Sequence, residues 1–102
     1  MKVKVYAVRD LKVGAFMAPF FCVAHGQAVR TFQDTVADPG MVLSKHPEDF
    51  DLFYLADFDD NTGLIVSVDS PVHLSTAVEF VRKDDGRTSD LRLLPPAGGS
   101  GN

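Results

Sequence analysis

The stretch from residue 52 to residue 68 restricts the fold more than any other. Leu52, Phe53, Tyr54, Leu55, Ala56 and Phe58 form one run of aromatic and branched residues, and Leu64, Ile65, Val66 and Val68 form a second. Asp59, Asp60, Asn61, Thr62 and Gly63 join them. Two β-rich runs linked by five turn-formers read as an antiparallel hairpin. The first run is apolar on both faces, so one side meets a core and the other is free to meet a partner.

The start of the chain supplies a further strand. Over residues 2–7 polar and apolar residues alternate, which predicts a half-buried strand with Val3, Val5 and Ala7 inward and Lys2, Lys4 and Tyr6 outward. Val8 and Arg9 break the pattern, and residues 10–14 read as a turn. Residues 16–23 are apolar with Pro19 among them, which suits an irregular edge strand or extended arm. Residues 25–37 show helical spacing: Ala28 or Val29, Phe32 and Val36 make one stripe, and Arg30 with Asp34 an i,i+4 pair on the other face. Asp38-Pro39-Gly40 ends that helix.

Ser70-Pro71 reads as an N-cap followed by proline in the first turn, and Leu74, Ala77, Val78 and Val81 continue at helical spacing. Residues 77–82 would also fit a strand. Residues 83–87 read as a turn, Leu91, Leu93 and Leu94 as a short extension, and residues 95–102 (PPAGGSGN) as a Pro/Gly/Ser tail unable to bury a core. With 102 residues, 45% of them hydrophobic, the chain has room for one domain, placed at 1–94. The expected class is α+β: a small antiparallel sheet, including the hairpin, packed against two helices in a two-layer sandwich.

Chemistry-bearing motifs are few. The acidic turn fails as an EF-hand: counted from Asp57, the loop has Thr62 where glycine is needed and Val68 where glutamate is needed. His25, His46 and His73 lie far apart in sequence, and Cys22 is the single cysteine, so no metal, cofactor or disulfide is expected. No phosphate-binding glycine loop or nucleophile elbow occurs, so the expectation is not an enzyme. The apolar run VGAFMAPFFCVA is shorter than the roughly 20 residues of a membrane span and is broken by Pro19. No membrane association is expected, and the lone thiol fits a reducing compartment.

Charge is laid out in blocks. Between His46 and Val81 stand eight acids (Glu48, Asp49, Asp51, Asp57, Asp59, Asp60, Asp69, Glu79) and no lysine or arginine. The rest of the chain is basic, although the net charge is −4. Lys2, Lys4, Arg9 and Lys12 lie near Tyr6, Phe16, Phe20 and Phe21 in sequence. Cations that follow a phosphate backbone, beside rings on which bases stack, are what single-strand binders use. Lys2, Lys4, Arg9, Lys12 and Arg30 are therefore candidate phosphate contacts, and Tyr6 with Phe16 or Phe21 candidate stacking rings. For Phe20 and Phe21 the core reading is favoured slightly over stacking. Asp57, Asp59 and Asp60 offer the alternative, an acidic surface for a basic protein partner. The aromatic hairpin and an open sheet edge favour a homo-oligomer.

Several segments together resemble a known family. They are MKVKVYAVRD, Ala18-Pro19-Phe20-Phe21, Ala28-Val29-Arg30-Thr31-Phe32, Lys45-His46-Pro47-Glu48-Asp49-Phe50, the run from Leu52 through Asp59-Asp60-Asn61-Thr62-Gly63, and Ala77-Val78-Glu79-Phe80. The chain is similar over about residues 1–83 to the small non-structural protein of gokushovirus-type microviruses, which are single-stranded-DNA bacteriophages. The resemblance implies a protein of the infected bacterial cytoplasm, absent from the virion. It also implies DNA binding, or promotion of the switch to single-stranded genome synthesis, with the phage replication initiator or a host replication protein as the alternative partner. It supplies no catalytic residues.

Overall fold

A computed structural model of the chain describes residues 2–81. The turn, leucine extension and tail expected beyond residue 82 lie outside the described residues. The elements run β1 (Lys2–Asp10), β2 (Ala15–Phe16), β3 (Phe20–Cys22), α1 (His25–Ala37), α2 (Val42–Lys45), β4 (Phe50–Asp59) and β5 (Ile65–Thr76). Short 3-10 turns occupy Pro47–Asp49 and Ala77–Phe80. The strands form one five-stranded antiparallel sheet in the order β2-β1-β4-β5, with β3 also on the free side of β1. Together with two helices this is the expected small α+β fold.

Most local expectations from the sequence hold. Helix α1 spans the predicted residues and buries the predicted stripe, Ala28, Phe32 and Val36. The β1–β2 turn is shaped by Asp10, whose carboxylate accepts from the backbone N–H of Lys12 and Val13 at 3.0 and 3.2 Å. Gly14 closes it with φ +80°, a conformation that disfavours any side chain. Gly63 does the same at φ +79° in the β4–β5 hairpin. The apolar arm becomes β2 and β3, two short edge strands separated by Pro19, as a proline there requires.

Two expectations are corrected. Strand β1 continues through Val8 and Arg9 to Asp10, because β4 pairs with it along its whole length. No helix follows Ser70-Pro71: residues 65–76 are strand β5, and only Ala77–Phe80 turn, as a 3-10 helix closed by a capping box between Thr76 and Glu79. Pro71 is tolerated because β5 is the sheet edge and its ladder is broken there. Opposite Tyr54 to Ala56 of β4, β5 steps from Val72 to Ser67, leaving residues 68–71 out of register.

The core lies on one side of the sheet. Tyr6, Cys22, Phe50 and Leu52 of the strands pack with Ala28, Phe32, Val36, Leu43 and Ala77 of the helices and turns. Val8, Phe20, Val29, Tyr54, Leu74 and Phe80 border that cluster. Each large side chain buried here contributes about 1.5–3 kcal/mol relative to exposure. The opposite sheet face takes no part in this core cluster.

Candidate nucleic-acid interface

Register decides which residues share the face opposite the helices. On β1, Tyr6 points to the core, so Val3, Val5, Ala7 and Arg9 point the other way. Their β4 partners are Phe58, Ala56, Phe53 and Asp51. This pairing includes a one-residue bulge: β1 steps from Val5 to Tyr6 while β4 steps from Ala56 to Tyr54, so Leu55 is the extra residue. Phe21 of β3 is added opposite Val5, Phe16 of β2 opposite Arg9, and His73 of β5 opposite Phe53. The helix-free face thus collects four phenylalanines from three strands, β2, β3 and β4.

The rings meet edge-on in two groups. Phe16 and Phe53 have centroids 5.6 Å apart at 80°, and His73 continues the row at 5.4 Å from Phe53. Phe21 and Phe58 lie 5.9 Å apart at 71°. Val5, Ala7 and Ala56 lie between them and are buried, a floor of small side chains. Phe16 is 37% exposed and Phe21 52%, which is high for phenylalanine on a folded strand. The two groups are separated along β1 by about four residues, on the order of 13 Å.

The charged groups described on this face stand at the Phe16 end. The Arg9 guanidinium lies over the Phe16 ring, 5.1 Å from its centroid, a cation–π arrangement. Asp51 pairs with Arg9 across β1 and β4, and its carboxylate oxygen is 3.5 Å from His73 Nε2. Both polar side chains keep some contact with solvent, Asp51 at 18% and His73 at 49%.

The expected single cationic track is not assembled. Lys2 and Lys4 fall on the other sheet face, opposite Asp59 and Asp57 of β4, and Lys4 Nζ is 6.0 Å from the Tyr54 ring centroid. Lys12 is in the β1–β2 turn, and Arg30 is on the exposed side of α1. Arg9 alone of the five stands among the open rings.

Tyr6 is the clearest correction to the expected stacking set. It is 0% exposed, stacked at 5.8 Å on Phe20 and hydrogen-bonded through its Oη to His25 Nδ1 at 2.7 Å. Burial, reinforced by Cys22, Tyr54 and Asp57, pushes its hydroxyl up to about 12. It is a core residue and cannot stack a base. Beside it the Tyr54 hydroxyl donates to Asp57, which raises the Tyr54 pKa because that bond is lost on ionisation. Asp57 and Asp59 are thus engaged within the molecule: Asp59 also shapes the hairpin turn by accepting from the Asn61 N–H at 2.9 Å.

Sequence reasoning did not pick out Phe53, Phe58, His73 or Asp51 for this face. The signal was present in the apolar residues on both faces of β4, but their strand partners were not readable. It also did not group His46, Glu48 and Asp49, whose ligand atoms lie within 4.8 Å of one another on the 3-10 turn before β4. That trio could offer oxygen and nitrogen ligands to an ion, although exposed acidic groups commonly cluster without one. Among the described residues, no helix is long and apolar enough to cross a membrane.

No curated protein and no solved structure matches the chain. The sequence profile of the phage ORF5 protein family matches residues 3–80, which takes in the strands and helices described above apart from Lys2 at the start of β1. The chain therefore belongs to the phage ORF5 protein family.

Proposed function

We propose that this phage ORF5 family member binds single-stranded DNA on the helix-free face of its sheet, without catalysis, and so favours single-stranded genome synthesis in a microvirus-type phage. The observation that carries the reading is the arrangement of Phe16, Phe53, Phe21 and Phe58 in two edge-on groups on that face, with Arg9 over one of them. A sheet that presents aromatic rings can stack unpaired bases, which duplex DNA keeps hidden. The resemblance of the sequence to a gokushovirus non-structural protein supports a setting for this activity in the infected cytoplasm, outside the virion.

Stacking has to supply most of the affinity. The face carries Arg9 with Lys12 in the neighbouring turn, while the chain as a whole has a net charge of −4. One or two neutralised phosphates give a salt slope of only about −0.7 to −1.4, whereas each stacked base contributes about 1–3 kcal/mol. Fluorescence anisotropy with single- and double-stranded oligonucleotides at two salt concentrations tests this. Single strands should bind in preference to duplex, with that shallow slope, and Phe16→Ala or Phe53→Ala should weaken binding. Equal affinity for duplex, or unchanged affinity in both variants, refutes the proposal.

The adaptor reading, in which Asp57, Asp59 and Asp60 capture the replication initiator or a host protein, draws less support. Asp57 accepts from the Tyr54 hydroxyl and stands opposite Lys4 in the strand register, and Asp59 stands opposite Lys2, so each of these two acids has a cation on the neighbouring strand.

A further inference from the structure

The acid on the stacking face has no use in holding phosphate. Asp51 lies beside Arg9 across the β1–β4 ladder and two residues from Phe53 on the same face of β4, about 7 Å along the strand. An ionised carboxylate there repels a DNA backbone, and as an acceptor-only group it can be satisfied by a nucleic acid only through base N–H donors. Its neighbours keep it turned into the face: His73 Nε2 lies 3.5 Å from Oδ2, and the His73 ring is held edge-on to Phe53 at 5.4 Å.

We infer that Asp51 and Arg9 together make the Phe16–Phe53 station a guanine-preferring base site. This rests on the single-strand reading above. Guanine presents two adjacent donors, N1–H and the N2 amino group, which match the two oxygens of one carboxylate. Next to them on the same base lie two adjacent acceptors, O6 and N7, which match the guanidinium fork. A donor pair beside an acceptor pair mirrors an aspartate beside an arginine. Adenine and cytosine each offer a carboxylate one amino group, and thymine offers a single N3–H flanked by carbonyls that repel it. The Arg9 guanidinium is already positioned over Phe16, so the fork is presented at the edge of the station. The Phe21–Phe58 station pairs Val5 and Val3 with Ala56 and Phe58, has no charged group in those positions, and stacks any base.

The experiment is an anisotropy titration of the full chain with thymine oligonucleotides of equal length. One is uniform, one has two spaced guanines, and one has adenines at the same positions; the spacing avoids guanine self-association. The guanine-containing strand should bind about tenfold or more tighter than the other two. Asp51→Asn should remove that preference while leaving the uniform strand bound at least as well, since a repulsive charge is gone. Arg9→Gln should lower affinity for all three strands and narrow the guanine advantage. Circular dichroism of both variants confirms that they fold. Equal binding of the three strands by the unmodified protein overturns the guanine assignment and leaves the single-strand reading standing. Binding to none of them overturns both. A guanine preference that survives in Asp51→Asn and Arg9→Gln overturns the assignment to these two residues.

Discussion

Alkaline pH should destabilise this protein through one hydroxyl. Tyr6 is 0% exposed and its ionisation is pushed up to about 12, chiefly by burial, against about 10 in the unfolded chain. Below pH 10 both states hold the proton and nothing changes. Between about 10 and 12 the unfolded chain releases it and the folded chain keeps it, so folding stability falls as pH rises. Each pH unit across that window removes about 1.4 kcal/mol, giving a total loss of about 3 kcal/mol. That is a large share of the net stability of a small domain. Urea unfolding at several pH values from 9 to 12, in the natural protein and in Tyr6→Phe, isolates the effect, because lysine titration is common to both. Tyr6→Phe should start about 1 kcal/mol less stable through loss of the bond to His25, then decline less steeply above pH 10. With only two tyrosines in the chain, tyrosinate absorbance resolves the titrations directly. Parallel decline of the two proteins, or a Tyr6 that ionises near pH 10 with the fold intact, would refute the placement of Tyr6 in the core.

Two further substitutions test the framework. Leu52→Ala removes a side chain that is 0% exposed where β4 meets the helices, and should cost about 2–5 kcal/mol in urea unfolding; a cost below 1 kcal/mol would place Leu52 outside the core. Gly63→Ala meets no neighbour within 4 Å of the added carbon, yet sits at φ +79°, so it should cost about 1 kcal/mol from backbone strain alone. A neutral or stabilising result there would mean that the β4–β5 turn has another conformation.

Legibility in the sequence followed the range of the forces involved. Helix α1 was readable because its stripe of Ala28, Phe32 and Val36, and its stop at Asp38-Pro39-Gly40, are local. The β4–β5 turn was readable for the same reason: Asp59, Asn61 and Gly63 carry their own turn chemistry. The false helix after Pro71 arose because a strand end and a 3-10 turn put Leu74, Ala77, Val78 and Val81 at helical spacing. Only pairing with β4 decides against it, and that pairing is between segments far apart in sequence.

Tyr6 shows why the site itself was harder to read than the fold. The alternation on β1 correctly put Lys2, Lys4 and Tyr6 on one face and Val3, Val5 and Ala7 on the other. The inference that the lysine face is the outer one fails at Tyr6, because α1 begins at His25 and its first residue already contacts the Tyr6 ring. Lys2 and Lys4 sit at the start of the strand, opposite Asp59 and Asp57, where the face has left the core cluster. One strand face is therefore core at residue 6 and polar at residue 4. The valine face then needs another covering, and it receives phenylalanines from β2, β3 and β4 in place of a helix. The bulge at Leu55 matters for this: without the extra residue, Phe58 and Phe53 would fall on opposite faces of β4, being an odd number of positions apart. A single inserted residue thus brings the two aromatic stations onto one surface, and no periodicity in the strand's own sequence announces it.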